Sequence, residues 1–392
     1  MNNFNYFTPT KVVFGKDTQM QAGALCKEFG AAKVLIHYGG GSAVRSGLID
    51  QVKASLDEAG IAHVELGGVK PNPRLSLCRE GIELCRKEGV NFILAVGGGS
   101  VIDSSKCIGY GLANEGDVWD FYCQKRTATA CAPIGAVLTI AAAGSEMSNS
   151  CVITNEDGWF KRGTKTDYCR CRFAILNPEL TYTLPDYQTQ CGCVDIMMHI
   201  MERYFTKTED TMLIDGMAES VLRTVKTNAK ILHKNPEDYD ARAQVMWAGS
   251  LAHNGLLGCG MEEDWATHQL EHELSGMFDV AHGAGLAALW GSWARYVIDE
   301  KPHRFAQFAV QVMGIPASAS DPKRTGELGI RAMEEFIRSV GMPTNIRELG
   351  YELTDEEIKM LASKCAARKG GKIGGFKKLG EEDMIRIYEM AR

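Results

Sequence analysis

The sequence predicts an α/β domain on a parallel sheet over residues 1–185, followed by an all-helical domain over residues 186–392. Three observations carry this expectation. In the first half, short β-rich runs alternate with amphipathic stretches, the pattern of strands linked by crossover helices. Asn177-Pro178 and Leu184-Pro185 then punctuate the chain. From Asp186 onward, long helical patterns replace the β-branched runs. A length of 392 residues also exceeds what one hydrophobic core usually supports.

Residues 33–38 (KVLIHY) read as a buried strand that ends in Gly39-Gly40-Gly41-Ser42. A helix is expected over about 47–59, a strand near 61–66 and a helix over 75–88. Residues 91–96 (NFILAV) form the next expected strand. It ends in a second run, Gly97-Gly98-Gly99-Ser100, which opens the helix bearing Asp103 and Lys106. No internal repeat or low-complexity segment interrupts this order.

Composition narrows the classes. With 45% hydrophobic and 23% charged residues, the chain has the balance of a folded globular protein, not a disordered one. The net charge of −6 is mild, and no block of Lys or Arg marks a nucleic-acid or membrane surface. Residues 1–10 are polar and aromatic, without the apolar core of a secretory leader. The longest apolar run, 130–144, is broken by Pro133 and Gly135 and falls short of the ~20 residues of a membrane span. A reducing cytoplasm is therefore expected, with most of the 13 cysteines acting as small buried hydrophobes. Cys169/Cys171 and Cys191/Cys193 have one residue between them, not the spacing of a structural zinc site.

A glycine run after a strand lets backbone N–H groups approach a phosphate, while the next helix presents its positive end. Both runs have that context and point to a nucleotide; the plainer alternative is a tight strand-to-helix turn. Neither is the dinucleotide fingerprint. Val44 and Ile102 stand where its third glycine belongs, and Leu66-Gly67-Gly68 stands where its ribose-binding carboxylate belongs. A standard Rossmann domain is thus disfavoured, though a related nucleotide fold is not. In the first loop, Gly39, Gly40, Gly41 and Ser42 offer small donors in place of an acidic side chain. With Arg45 close by, they favour NADP over NAD.

Asp195 and His199 are four residues apart, which on a helix stacks both side chains on one face. His268 and His272 repeat the spacing, and His282 follows fourteen residues after His268. Fourteen helical residues span ~21 Å, so the chain must turn back, with the break expected at Gly276 and Met277-Phe278-Asp279. Gly283 and Gly285 then permit close backbone approach beside His282. Three imidazoles and a carboxylate suit Fe²⁺ or Zn²⁺ with one coordination position open to substrate. Any of these histidines alone reads equally well as a satisfied buried side chain. The grouping, five of nine histidines once His253 is counted, is what points to a metal.

At these residues the sequence resembles the iron-containing (group III) alcohol dehydrogenases, and within them the butanol dehydrogenase and broad aldehyde reductase branch. The resemblance spans the chain from Asn3-Phe-Asn-Tyr-Phe-Thr-Pro-Thr onward. It is anchored by Gly97-Gly-Gly-Ser-Val-Ile-Asp-Ser-Ser-Lys106, Ala143-Gly-Ser-Glu-Met147, Asn177-Pro-Glu-Leu-Thr-Tyr-Thr-Leu-Pro185 and Asp264-Trp-Ala-Thr-His-Gln-Leu-Glu-His-Glu273. It implies a dinucleotide-binding α/β domain, an all-helical metal-binding and catalytic domain, a cleft between them, and a homodimer. It assigns the metal to Asp195, His199, His268 and His282. Gly97, Gly98, Gly99, Ser100 and Asp103 match its pyrophosphate motif, and Asn72, Thr139 and Lys161 stand where cofactor contacts are expected. The Gly39–Ser42 run resembles the NADP-using branch. One departure is Ala143, where the wider family often has threonine and a hydroxyl near the nicotinamide.

The expected reaction is reversible hydride transfer between NADP(H) and a primary alcohol or aldehyde of butanol type. His272, one turn beyond His268, is a candidate to relay the alkoxide proton; its alternative role is packing. Two rival functions share the motifs: a glycerol or other polyol dehydrogenase, and a lyase similar to dehydroquinate synthase. The lyase would need a cluster of cations that is not evident near the metal motifs. A structural or storage metal protein is a third, opposed by the glycine loops. The expected partner is a small aldehyde or alcohol, with no nucleic acid and no membrane.

Overall fold

Eight strands form where the β-rich runs lie: β1 (Lys11–Phe14), β2 (Lys33–Gly39), β3 (Ala62–Val69), β4 (Phe92–Gly97), β5 (Ile134–Leu138), β6 (Ser150–Asn155), β7 (Phe160–Lys165) and β8 (Phe173–Leu176). Six of them make one sheet in the order β1-β8-β5-β4-β2-β3, with every neighbouring pair parallel. A parallel sheet is covered on both faces, and β4 and β5 are accordingly buried at every position. Helices α1 (Ala22–Glu28), α2 (Ser42–Arg45), α3 (Leu48–Glu58), α4 (Leu75–Glu88), α5 (Gly99–Ala113) and α6 (Trp119–Tyr122) complete this unit. Leu25, Val52 and Leu56 of α1 and α3 share a core with Val34, Ile36, Leu94 and Val96. On the opposite face, His37 of β2 bonds Ser104 of α5 through Nε2 at 2.8 Å.

The computed structural model describes every residue except 319, 368 and 369. The chain divides into two compact units, Phe7–Leu184 and Pro185–Arg392, the latter together with Met1–Tyr6. The first residues join the helical unit because their backbone is bonded there: Met1 donates to Glu209 O at 3.0 Å and Asn2 N to Gly260 O at 2.8 Å. The sheet unit also holds an element not expected from its parallel pattern, the antiparallel hairpin β6–β7.

The helical unit contains α7 (Asp186–Tyr204), α8 (Met212–Lys234), α9 (Tyr239–His253), α10 (Ala266–Phe278), α11 (His282–Val297), α12 (Pro302–Phe308), α13 (Pro322–Ser339), α14 (Asp355–Ala366) and α15 (Glu381–Ala391). Its centre is aromatic: Phe205 lies 4.5 Å from Phe305, 5.4 Å from Phe308 and 5.6 Å from Trp293, centroid to centroid. Beside it, the buried Arg304 grips Asp215 with both terminal nitrogens and donates through Nε to Tyr204 O at 2.6 Å. These contacts fix the end of α7. No helix among the described residues is long and apolar enough to cross a membrane.

The break between the histidine segments falls at the far end of the expected Gly276–Asp279 stretch. Gly276 is buried inside α10, which continues to Phe278. The turn is made by Asp279 in the left-handed region (φ 54°), whose N–H donates to Ser275 O at 2.9 Å. Ser275 Oγ also bonds Glu271 and Val280 O, so the residue beside the glycine fastens the turn across to Val280.

Candidate metal and nucleotide sites

Asp195 and His199 lie one turn apart in α7, where Gly192–Tyr204 is buried throughout. The helical stagger brings His199 Nδ1 to 3.2 Å from Asp195 Oδ1. On α10, His268 sets Nε2 at 3.9 Å from the same oxygen, and His282 at the start of α11 sets its Nε2 at 3.7 Å. Gly283 makes this approach possible, because a Cβ there would stand 2.0 Å from the Cys191 carbonyl of α7.

Three imidazole nitrogens thus surround one carboxylate oxygen. Ligand atoms of Asp195, His268 and His282 lie within 4.8 Å of one another. His199 joins through Asp195, its ring 4.6 Å from that of His268. Its Nδ1 is buried and makes no hydrogen bond, a state that costs free energy unless something else occupies the lone pair. The donor set and this nitrogen fit a divalent cation. Burial, then the neighbouring His268 and Arg203, push the His199 pKa well down, which keeps the imidazole neutral as a ligand must be.

Two carboxylates that the sequence reading did not single out orient these rings. Glu202 accepts from His268 N at 2.9 Å and meets His268 Nδ1 at 2.7 Å. Glu271, fully buried, contacts Nδ1 of His282. In both cases the far ring nitrogen faces Asp195. The signal was present as a repeat, His199-Ile-Met-Glu202 and His268-Gln-Leu-Glu271. Each carboxylate, however, serves the histidine of the next segment and not the one three residues before it. Burial pushes Glu202 up to about 8, and burial with the nearby Glu202 pushes Asp264 up to about 7. Trp265, whose ring lies 5.1 Å from that of His268, starts α10 in the left-handed region (φ 67°). With Asp279 at the other end, the helix bearing His268 is bounded by two strained non-glycine residues.

His272 does not join the Asp195 cluster. It lies on the same side of α10 with its ring 5.8 Å from that of His282, and forms a second grouping with Glu271 and His282. It is half-buried, unlike His268.

In the sheet unit the expected cofactor residues gather at the carboxyl edge of the strands. β2 and β4 are neighbours with Tyr38 opposite Val96, so the runs beginning at Gly39 and Gly97 open side by side. Thr139, just past β5, donates its N–H to Gly97 O at 3.1 Å. Gly40 has open space where a side chain would stand, and Gly41 adopts φ 119° with Arg45 Nη1 3.1 Å from a Cβ placed there. Gly98 precedes α5, and its Cβ would strike Ile140 at 2.1 Å. Ser100 follows in the first turn of α5, where free N–H groups point out of the helix. Asn72 (φ 54°) and Lys161 meet through Thr154, which bonds Pro73 O and pairs with Lys161 across the β6–β7 hairpin. Asp103 has both oxygens engaged by protein, one by Ser145 Oγ at 2.5 Å and one by Val152 N at 2.8 Å. Its carboxylate thereby ties α5 to Ser145 and to β6.

Two family models match the chain. One described as iron-containing alcohol dehydrogenase covers residues 9–178, and the C-terminal model of the Fe-containing alcohol dehydrogenase family covers residues 189–392. An NADH-dependent butanol dehydrogenase A of Clostridium acetobutylicum is 40% identical over 99% of both chains. The NADPH-dependent aldehyde reductase YqhD of Escherichia coli is 38% identical over the full length of both. The crystal structure of an NADH-dependent butanol dehydrogenase A from Thermotoga maritima superposes with a TM-score of 0.96 at 37% identity, covering 100% of this chain and 99% of that one.

Proposed function

The chain belongs to the iron-containing alcohol dehydrogenase family, and from that premise we propose that it interconverts butanol-type primary alcohols and their aldehydes with NADP(H) as its cofactor. The reaction class follows from membership: a metal-dependent alcohol dehydrogenase or aldehyde reductase that uses a nicotinamide cofactor and Fe²⁺ or Zn²⁺. The observation that carries the catalytic reading is the convergence of His199, His268 and His282 on Oδ1 of Asp195.

When bound, the ion supplies a Lewis acid for the carbonyl oxygen and the nicotinamide supplies the hydride. The protein's own work is orientation and proton transfer. Asp195, His199, His268 and His282 hold the ion, and Glu202 and Glu271 fix the His268 and His282 rings so that Nε2 faces Asp195. Gly39–Ser42, Gly97–Ser100, Asn72, Thr139 and Lys161 form the cofactor edge of the sheet unit, Phe7–Leu184, and the helical unit is catalytic. His272, half-buried beside His282, delivers or removes the proton at the product oxygen.

NADP is favoured by the first glycine run. From Tyr38 to Ser46 no acidic side chain is present, and the Arg45 guanidinium lies against Gly41, where it can meet a 2′-phosphate. The relatives of similar identity are named for different cofactors, so this loop is the discriminating feature. All thirteen cysteines are free thiols, which supports a reducing, cytoplasmic setting. β1 ends the sheet with Phe14 exposed, which supports a homodimer.

The test is oxidation of NADPH and NADH with butanal after anaerobic loading with Fe²⁺ or Zn²⁺. NADPH should give the higher kcat/KM, by about tenfold if Arg45 adds one charge-assisted contact. An equal or higher value with NADH removes the NADP assignment. No turnover of any aldehyde by the loaded protein removes the substrate assignment.

A further inference from the structure

The Gly97–Lys106 motif contains a buried cation that the proposed reaction does not use. Lys106, two turns into α5, is fully buried. Its Nζ meets the carbonyl oxygens of Ser145 at 2.7 Å, Ser150 at 2.8 Å and Ser148 at 3.0 Å, and Ser148 Oγ at 3.2 Å. Three carbonyls and a hydroxyl around an ammonium form a cage of the kind that would also hold a free monovalent cation. Asp103, one turn earlier, supplies a countercharge and takes the opposite polarity from the same stretch, accepting from Ser145 Oγ and Val152 N.

The stretch held in this way runs from the end of β5 to Ser150, the first residue of β6, where pairing with β7 begins. Buried carbonyls need donors. Those of Ser145, Ser148 and Ser150 converge on Lys106, Ser145 O also accepting from Ser148 N at 3.3 Å; Met147 O accepts from the buried Arg170 at 2.6 Å, and Asn149 O from Thr166 N at 3.0 Å. The segment also carries Thr139, bonded to Gly97, and Ala143, whose Cβ lies 3.1 Å from a Cβ placed at Gly99. Its shape therefore sets one wall of the second glycine turn.

We propose that Lys106 is a positioning residue, a tethered ammonium that fills a built-in cation cage and holds the 139–150 segment in the shape the cofactor turn requires. The proposal rests on the nucleotide reading of Gly97–Ser100. A planar guanidinium does not match carbonyls converging on a point, so the cage is specific for a compact cation.

Chemical rescue of the full-length enzyme tests it. Lys106→Ala removes the tether and leaves the carbonyls. In sodium buffer its KM and Kd for NADPH should rise about tenfold or more, with kcat less affected and Tm lowered. Ammonium or potassium chloride should restore both quantities, and sodium chloride at equal ionic strength should not. Lys106→Met, which keeps the stem and plugs the cage, should show the loss without the rescue. Unchanged NADPH affinity in Lys106→Ala overturns the proposal, as does an identical response of both variants to every salt. Failure of both variants to fold in any salt also overturns it and leaves Lys106 a folding residue alone. If the wild-type protein binds neither NADPH nor NADH, the nucleotide reading fails and the positioning role with it. An ammonium-dependent Tm in Lys106→Ala would then mark the cage as purely structural.

Discussion

In the sheet unit the buried charge of Lys106 is satisfied by main-chain carbonyls of a single loop. In the helical unit the buried carboxylates Glu202 and Glu271 are satisfied by imidazoles from other helices. The nucleotide edge is correspondingly made of backbone, at glycine turns whose position follows from strand order. The proposed metal site is made of side chains on three helices, none of which contributes more than part of it. A backbone site depends on the segments that hold its turns in shape. A side-chain site depends on every ring being held at the correct angle.

The largest expected effect tests whether the two sites are separable. Asp195→Ala removes the oxygen on which three imidazoles converge. Activity should fall by about a thousandfold, matching several kcal/mol of lost charge stabilisation. Metal content, read by elemental analysis, should fall with it, while NADPH affinity stays within about threefold. A parallel loss of NADPH binding would break the comparison.

The second concerns acid stability and belongs to the sheet unit. Burial pushes His37 down to about 4, against the raising effect of its bond to Leu66 O. The unfolded chain therefore takes up this proton first as pH falls. Stability from the neutral imidazole is complete above pH ~6.5 and is lost as pH falls through about 4, by on the order of 3 kcal/mol. His37→Gln keeps a donor and an acceptor without titrating, so it should flatten the dependence of Tm on pH over that range. An unchanged slope would assign acid sensitivity elsewhere.

The third sharpens the helical side. Glu202→Gln and Glu271→Gln each retain an acceptor but weaken the hold on the histidine Nδ1, and each should weaken metal affinity by about 10- to 100-fold. Competition with a chelator measures this directly. Glu271→Gln should act through His282 alone and Glu202→Gln through His268, so the double variant should lose close to the product of the two. An effect of either on NADPH affinity as large as on metal would contradict their placement.

Much of this was legible in the chain. Residues 33–38, 75–88 and 91–96 became β2, α4 and β4 with shifts of at most a residue, because buried parallel strands and amphipathic helices carry their own periodicity. The four proposed metal ligands stand out as the Asp195/His199 spacing, His268 and a return segment at His282, and the glycine turns as strand-to-helix punctuation. What the tertiary structure alone decided is long-range. Glu202 and Glu271 face histidines 66 and 11 residues away, a pairing that the His-x-x-Glu repeat does not specify. Within the expected Gly276–Asp279 break, the turn itself falls at Asp279, where Ser275 bonds across it. Lys106 looked like one more polar position in a motif, and only folding brings Ser145, Ser148 and Ser150 around it. Local sequence sets period and turn, since those arise from neighbouring residues. The partner of a buried charge is set by which distant segments pack against it, and burial is what makes that partner obligatory.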